Sequence, residues 1–153
     1  MKQETVPFVG RINRAWRIGI VHSSYYKEET DQLVARAVRF LRESGIPASN
    51  IVTIAAPGSF EIPLLGAELA RTKQVDALIG LGIIVEGETH HARLIAEAVT
   101  HGMMDVQVRY GVPFAFEVLY VDDIALARAR LDRGEEAARA VLQSLAHLRQ
   151  IQS

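Results

Sequence analysis

LIGLGIIVEGETHHARLI, residues 78–95, changes character once, and that change decides the fold. Leu78 to Val85 is an unbroken apolar run rich in Ile and Val, the pattern of a strand buried on both faces of a parallel sheet. Glu86, Gly87, Glu88, Thr89, His90 and His91 are polar, small or titratable, and Leu94, Ile95, Ala98 and Val99 then recur at helical spacing. A strand is therefore expected to pass into a helix through a short loop.

That junction offers chemistry. The first N–H groups of a helix have no intrahelical partner and carry the positive end of its dipole, so Gly87, Glu88 and Thr89 are expected to present donors to an anion. Counting back from Ile95 and Leu94 puts His91 at the top of the helix's inward face, where an imidazole beside an anion moves protons near neutral pH. A plainer arrangement fits the same residues, with Thr89 as an N-cap and His91 as a half-buried packing residue. This stretch alone leaves both open.

The rest of the chain bounds the answer. Its 153 residues suit one domain, and 49% hydrophobic with 23% charged residues is an ordinary globular composition. With 17 basic and 18 acidic side chains the net charge is −1, so no broad electrostatic footprint for nucleic acid or an anionic membrane is expected. The absence of cysteine excludes disulfides, thiolate metal sites and a cysteine nucleophile. The first 16 residues lack the apolar core of a signal peptide and no later run is long enough to span a bilayer, so a cytoplasmic location is expected.

Taken in order, residues 1–16 read as a surface arm broken by Pro7 and Gly10, and 17–153 as a single domain. Strands are expected over 17–22, 50–55, 78–85 and 114–121. Helices are expected over 27–43 and 60–73, from the central loop to about Gly102, from a cap at Asp122 or Asp123 to Leu131, and over 135–149 after a turn at 132–134. Pro63 sits in the first turn of the second helix, where a missing N–H costs nothing. This alternation predicts an α/β fold, a four-stranded parallel sheet with helices on both faces in a flavodoxin-like three-layer sandwich.

In such sheets ligands bind beyond the carboxyl ends of the strands. The loops there hold Ser23 to Tyr26, Pro57 to Glu61 and Glu86 to His91. Tyr25 and Tyr26 offer a flat face to a planar ligand or simply pack. Phe60 beside Glu61 is either a plate with a hydroxyl acceptor or a core residue with a favourable first-turn charge. Alternation of Phe114 and Phe116 favours core for both, and Arg128, Arg130 and Arg133 read as a solvated face unless one reaches a phosphate.

APGSFEIP at 56–63, LGIIVEGETHH at 81–91, VPFAFEVL at 112–119 and RGEEAA at 133–138 together resemble the lumazine synthase family, which makes 6,7-dimethyl-8-ribityllumazine in the penultimate step of riboflavin biosynthesis. The likeness runs from about Arg17 to Arg130 and resumes after a shortening near Leu131 to Arg133. It implies condensation of 5-amino-6-ribitylamino-2,4(1H,3H)-pyrimidinedione with 3,4-dihydroxy-2-butanone 4-phosphate, without metal or redox cofactor. By the match, Tyr25 stacks on the pyrimidine, Ser59, Phe60 and Glu61 hold the pyrimidine and its ribityl chain, and Ile83, Ile84 and Val85 line the heterocycle. Gly87, Glu88 and Thr89 cradle the phosphate with Arg130 of an adjacent subunit, His91 transfers protons, and Phe116 closes the pocket from the neighbour.

Departures from the family pattern are Tyr25 for Phe or Trp, Glu86 for a frequent arginine, His90 for proline, Ala92 for a bulky aromatic, and Arg133 for a lysine, which makes Arg133 a further possible ligand. The resemblance implies homopentamers, single, paired or closed into shells, and HGMMDVQ at 101–107 is nearest the paired, decameric type. Two other functions share the scaffold: an archaeal-type riboflavin synthase, and a non-catalytic flavin-binding or shell-forming paralogue.

Overall fold

The computed structural model of the chain describes residues 10–153, so most of the expected arm lies outside them. Residues 10–16 form no helix or strand, yet Trp16 is buried in the core. Strands β1 (Ile18–Ser23), β2 (Ile51–Ala56), β3 (Ala77–Val85) and β4 (Phe114–Val121) alternate with helices α1 (Lys27–Glu43), α2 (Ile62–Arg71) and α3 (His91–Tyr110). Helices α4 (Ile124–Arg128) and α5 (Arg133–Gln152) follow. All four strands pair in parallel in the order β2-β1-β3-β4, the α/β sandwich that the sequence predicts.

β3 organises the layers because eight of its nine residues are buried. Ala77, Ile79, Leu81 and Ile83 pack with α1 and α5 on one face, and Leu78 and Ile84 with α2 and α3 on the other. Each Leu or Ile so buried contributes about 1.5–3 kcal/mol, whereas an exposed ion pair contributes about 0–1 kcal/mol. Packing, not the surface Lys27–Asp31 or Arg39–Glu43 pairs, therefore holds the fold.

Several boundaries differ from expectation. α3 runs to Tyr110 and passes through Gly102 without stopping. Gly102 faces α2, and a Cβ there would lie 2.8 Å from Cγ of Pro63, so this glycine serves a close helix crossing. Gly111, with φ 62°, is the left-handed residue that ends the helix. The second helix starts at Ile62, after a single 3-10 turn over Ser59–Glu61. The expected turn at 132–134 is already helical from Arg133. Asp123 does cap α4, its Oδ1 accepting the Ala125 N–H at 2.8 Å.

From β1 the chain moves outward to β2, then returns past β1 to β3. The reversal opens a crevice at the carboxyl ends of β1 and β3, and the three suspected loops converge there. Among the described residues, no helix is long and apolar enough to cross a membrane.

Candidate active site

The turn leaving β1 is tied down by its own hydroxyls. Ser23 Oγ accepts the Tyr25 N–H at 3.1 Å, and Thr30 Oγ1 donates to the Tyr25 carbonyl at 2.9 Å. Ser24 Oγ donates to the Ala56 carbonyl at 2.7 Å, which joins this turn to the end of β2. Tyr26 has φ 49°, a left-handed backbone that costs energy for a residue with a Cβ and persists where neighbours enforce it. The Tyr25 ring, 66% exposed, lies against Gly58, where an added Cβ would meet its Cε2 at 3.2 Å.

The turn after β2 sorts its residues by exposure. Ser59 is buried and its Oγ has no hydrogen-bond partner, while Phe60 is 61% exposed. A buried hydroxyl without a partner costs about 1–3 kcal/mol. Such an expense is offset when a bound molecule supplies the bond.

A cavity of about 520 Å³ lies between these turns and the end of β3, within the size range of small-molecule sites. Tyr25 and Tyr26 come from the first turn, Ser59, Phe60 and Glu61 from the second, and Ile83, Ile84 and Val85 from β3. Gly87, Thr89 and His91 come from the third loop and the start of α3. Glu88 is exposed and does not line the cavity. Gly58, Ala92 and Ile95 also line it, without having been singled out as site residues. The i, i+4 spacing of His91 and Ile95 is a readable signal for Ile95, and Ala92 is marked only by the resemblance, as a small residue where a bulky aromatic is common.

The mouth of α3 departs from expectation. α3 begins at His91, so its free N–H groups belong to His91, Ala92 and Arg93, and the first helical bond runs from Leu94 N–H to the His90 carbonyl at 3.2 Å. Gly87, Glu88 and Thr89 lie in the loop before the helix. Thr89 makes no cap, because His90 holds the N-cap position and no side chain bonds there. The Gly87 N–H already donates to the Glu86 carboxylate at 3.2 Å, so an anion seeking that donor must displace Glu86. His91 is exposed at the cavity's edge and not turned into the core.

Phe116, Arg130 and Arg133 stand apart from this cavity. They line a larger groove, about 1500 Å³, along the free edge of β4 between α3 and the α4–α5 segment. Alternation misleads for Phe116: Phe114 is buried against α2 at Gly66, but Phe116, further along the open edge strand, is 42% exposed. Arg130 Nη1 donates to the Leu126 carbonyl at 3.1 Å, and the Arg133 N–H donates to the Arg130 carbonyl at 3.0 Å, so one turn carries both guanidinium groups.

Glu117 shares that groove. Its carboxylate lies 3.3 Å from Arg133 Nε with only 16% of the side chain exposed. Burial pushes its carboxyl up to about 7; Arg133 opposes the rise, and Glu136 and Asp132 add to it. The clue in the sequence is parity, since Glu117 shares its face of β4 with Leu119 and Val121 of the core and with Ala115 packed against it. Because the folded-state value lies above the ordinary one, the contribution to stability is full below about 4.5 and is lost as pH rises through about 7. Glu117→Gln is accordingly expected to stabilise the protein by up to roughly 3 kcal/mol at pH 8 and by nothing measurable at pH 4, in denaturant melts.

A family model described as 6,7-dimethyl-8-ribityllumazine synthase matches residues 15–149. The 6,7-dimethyl-8-ribityllumazine synthase of Nitrosospira multiformis is 41% identical over 128 residues, covering 82% of this chain and 79% of that protein. The 6,7-dimethyl-8-ribityllumazine synthase 1 of Caulobacter vibrioides is 39% identical over 140 residues, covering 88% of this chain and 92% of that one. That of Kineococcus radiotolerans is 36% identical over 140 residues, covering 87% and 85%. Matches of this extent, on a chain whose sheet, loops and cavity have the arrangement described, place it in the 6,7-dimethyl-8-ribityllumazine synthase family.

Proposed function

We propose that the protein condenses 5-amino-6-ribitylamino-2,4(1H,3H)-pyrimidinedione with 3,4-dihydroxy-2-butanone 4-phosphate, releasing phosphate and water, at sites shared between subunits of a homopentamer. The observation that carries this reading is the division of the expected site residues between a cavity on one side of the chain and a groove on another. A cavity of one subunit facing the groove of the next reunites them. Exposed Leu64 on α2 and Leu94, Met104 and Val108 on α3 supply apolar surface for such an interface. The ring stands alone or pairs into a decamer.

Within the composite site Tyr25 stacks on the pyrimidine, and Phe116 of the neighbour covers it. Ser59 and Glu61 bond the polar edges of the ring and the ribityl hydroxyls, and Ile83, Ile84 and Val85 form the floor. The substrate amine adds to the ketone, water leaves to give the imine, phosphate is eliminated, and ring closure expels a second water. Amines and ketones react unaided, so holding the two molecules in register supplies much of the acceleration. His91 takes and returns the protons, and Gly87, once the Glu86 carboxylate has left its N–H, receives the phosphate with Thr89 and the neighbour's Arg130. A phosphate ester does not cross a bilayer, in keeping with the cytoplasmic location expected from the sequence.

The test is incubation with both substrates while the lumazine fluorescence and the released phosphate are followed. Product in the pentameric fraction is the expected result; no product, or a fully active monomer by sedimentation, contradicts the reading. His91→Ala is expected to lower kcat by roughly ten- to a thousand-fold with substrate binding retained. An unchanged kcat assigns His91 to packing.

A further inference from the structure

We propose that Glu117 is a positioning residue, whose carboxylate holds Arg133 by its Nε so that the remaining guanidinium N–H groups receive a phosphate at the groove. The groove's arginines are engaged in different ways. Arg93 pairs with Glu97 at 3.0 Å and Arg139 with Glu135 at 3.6 Å, each along its own helix, and Arg130 folds back onto Leu126. Arg133 instead reaches from α5 to a carboxylate on β4, 3.3 Å away. Among the described residues neither of its Nη groups makes a hydrogen bond.

An arginine gripping an anion loses the freedom of a long side chain, and a guanidinium already held by one nitrogen loses less. Glu117 is suited to hold it because an edge-strand residue of core parity has little room to move. Its setting also makes the hold depend on pH. Asp132 and Glu136 at the start of α5 oppose its ionisation, Arg133 favours it, and Arg93, Glu97 and His101 of α3 line the groove's other wall. With the carboxyl raised to about 7, the hold is present above neutrality and released below it.

The inference rests on the composite-site reading for the identity of the anion as a phosphate ester, so the experiment separates the two. Orthophosphate binding is measured by titration calorimetry at pH 6 and 8 on the intact assembly of wild type, Glu117→Gln, Arg133→Ala and the double variant. At pH 8 Glu117→Gln is expected to weaken binding roughly three- to ten-fold, and to add nothing on the Arg133→Ala background. The ratio of wild type to Glu117→Gln, which cancels the ionisation of phosphate itself, is expected to fall towards one at pH 6. In turnover the KM for the butanone phosphate rises by the same factor and kcat changes by less than two-fold. Unchanged or tighter binding by Glu117→Gln at pH 8, equal losses on both backgrounds, or no orthophosphate binding by the wild type overturns the inference. Should the titrations follow expectation while the wild type makes no lumazine, the functional reading fails and the role of Glu117 stands.

Discussion

An equal mixture of His91→Ala and Arg130→Ala subunits, unfolded and reassembled together, is expected to recover roughly a quarter of wild-type activity, although each variant alone is depressed ten-fold or more at limiting butanone phosphate. The fraction follows from ring geometry. In a head-to-tail ring each site takes its cavity from one subunit and its groove from the next, so random mixing pairs an intact cavity with an intact groove one time in four. The cavity holds His91, and Arg130 lies on the separate groove along β4. A site built within one chain predicts no recovery, because every subunit carries one lesion. Activity no higher than the mean of the two parents would therefore end the shared-site reading, whatever the assay of the wild type shows.

Gly134→Ala is expected to cost about 3 kcal/mol or more of stability, or to prevent folding, as read by denaturant melts and soluble yield. Gly134 lies in the first turn of α5 where that helix crosses α1, and a Cβ there would stand 2.2 Å from the Leu33 carbonyl oxygen. The obstacle is backbone, so no side-chain rotation relieves it, and the two helices must separate. Separation strips cover from Leu33, Ala37, Val141 and Leu142, all buried between the helices and the sheet. The gain in helix propensity of alanine over glycine, about 1 kcal/mol, is too small to compensate. A variant as stable as the wild type would mean that α1 and α5 slide past each other without loss.

Much of this architecture is legible from residue order. The apolar run of β3, the helical spacing after it, and the cap at Asp123 all act locally, and the structure returns each of them. What the sequence conceals depends on neighbours distant in the chain. Gly102 reads as a stop until Pro63 is seen against it, and the helical start at Arg133 hides behind a turn-like Asp-Arg-Gly. Phe116 reads as core because period-two alternation cannot tell an edge strand from a central one, and the strand order that leaves β4 open is not encoded in periodicity. The cavity is legible because strand ends in a parallel sheet meet on one side. Its separation from Phe116 and Arg130 is implied by the resemblance but not by periodicity, since it depends on which flank of the sheet β4 occupies. Glu117 is the opposite case: its charge on the core parity is visible in the sequence, but its meaning emerges only with Arg133 beside it.

Among the described residues, β4 leaves one flank of the sheet unpaired. A strand reading FAFEVLYV, with Phe116 and Tyr120 both uncovered, is the kind of template on which stray chains add themselves and grow into aggregates. An acidic side chain in the middle of that run works as a gatekeeper, since stacking like charges strand upon strand is repulsive. A lone chain thereby carries its own brake against pairing edge to edge with further copies.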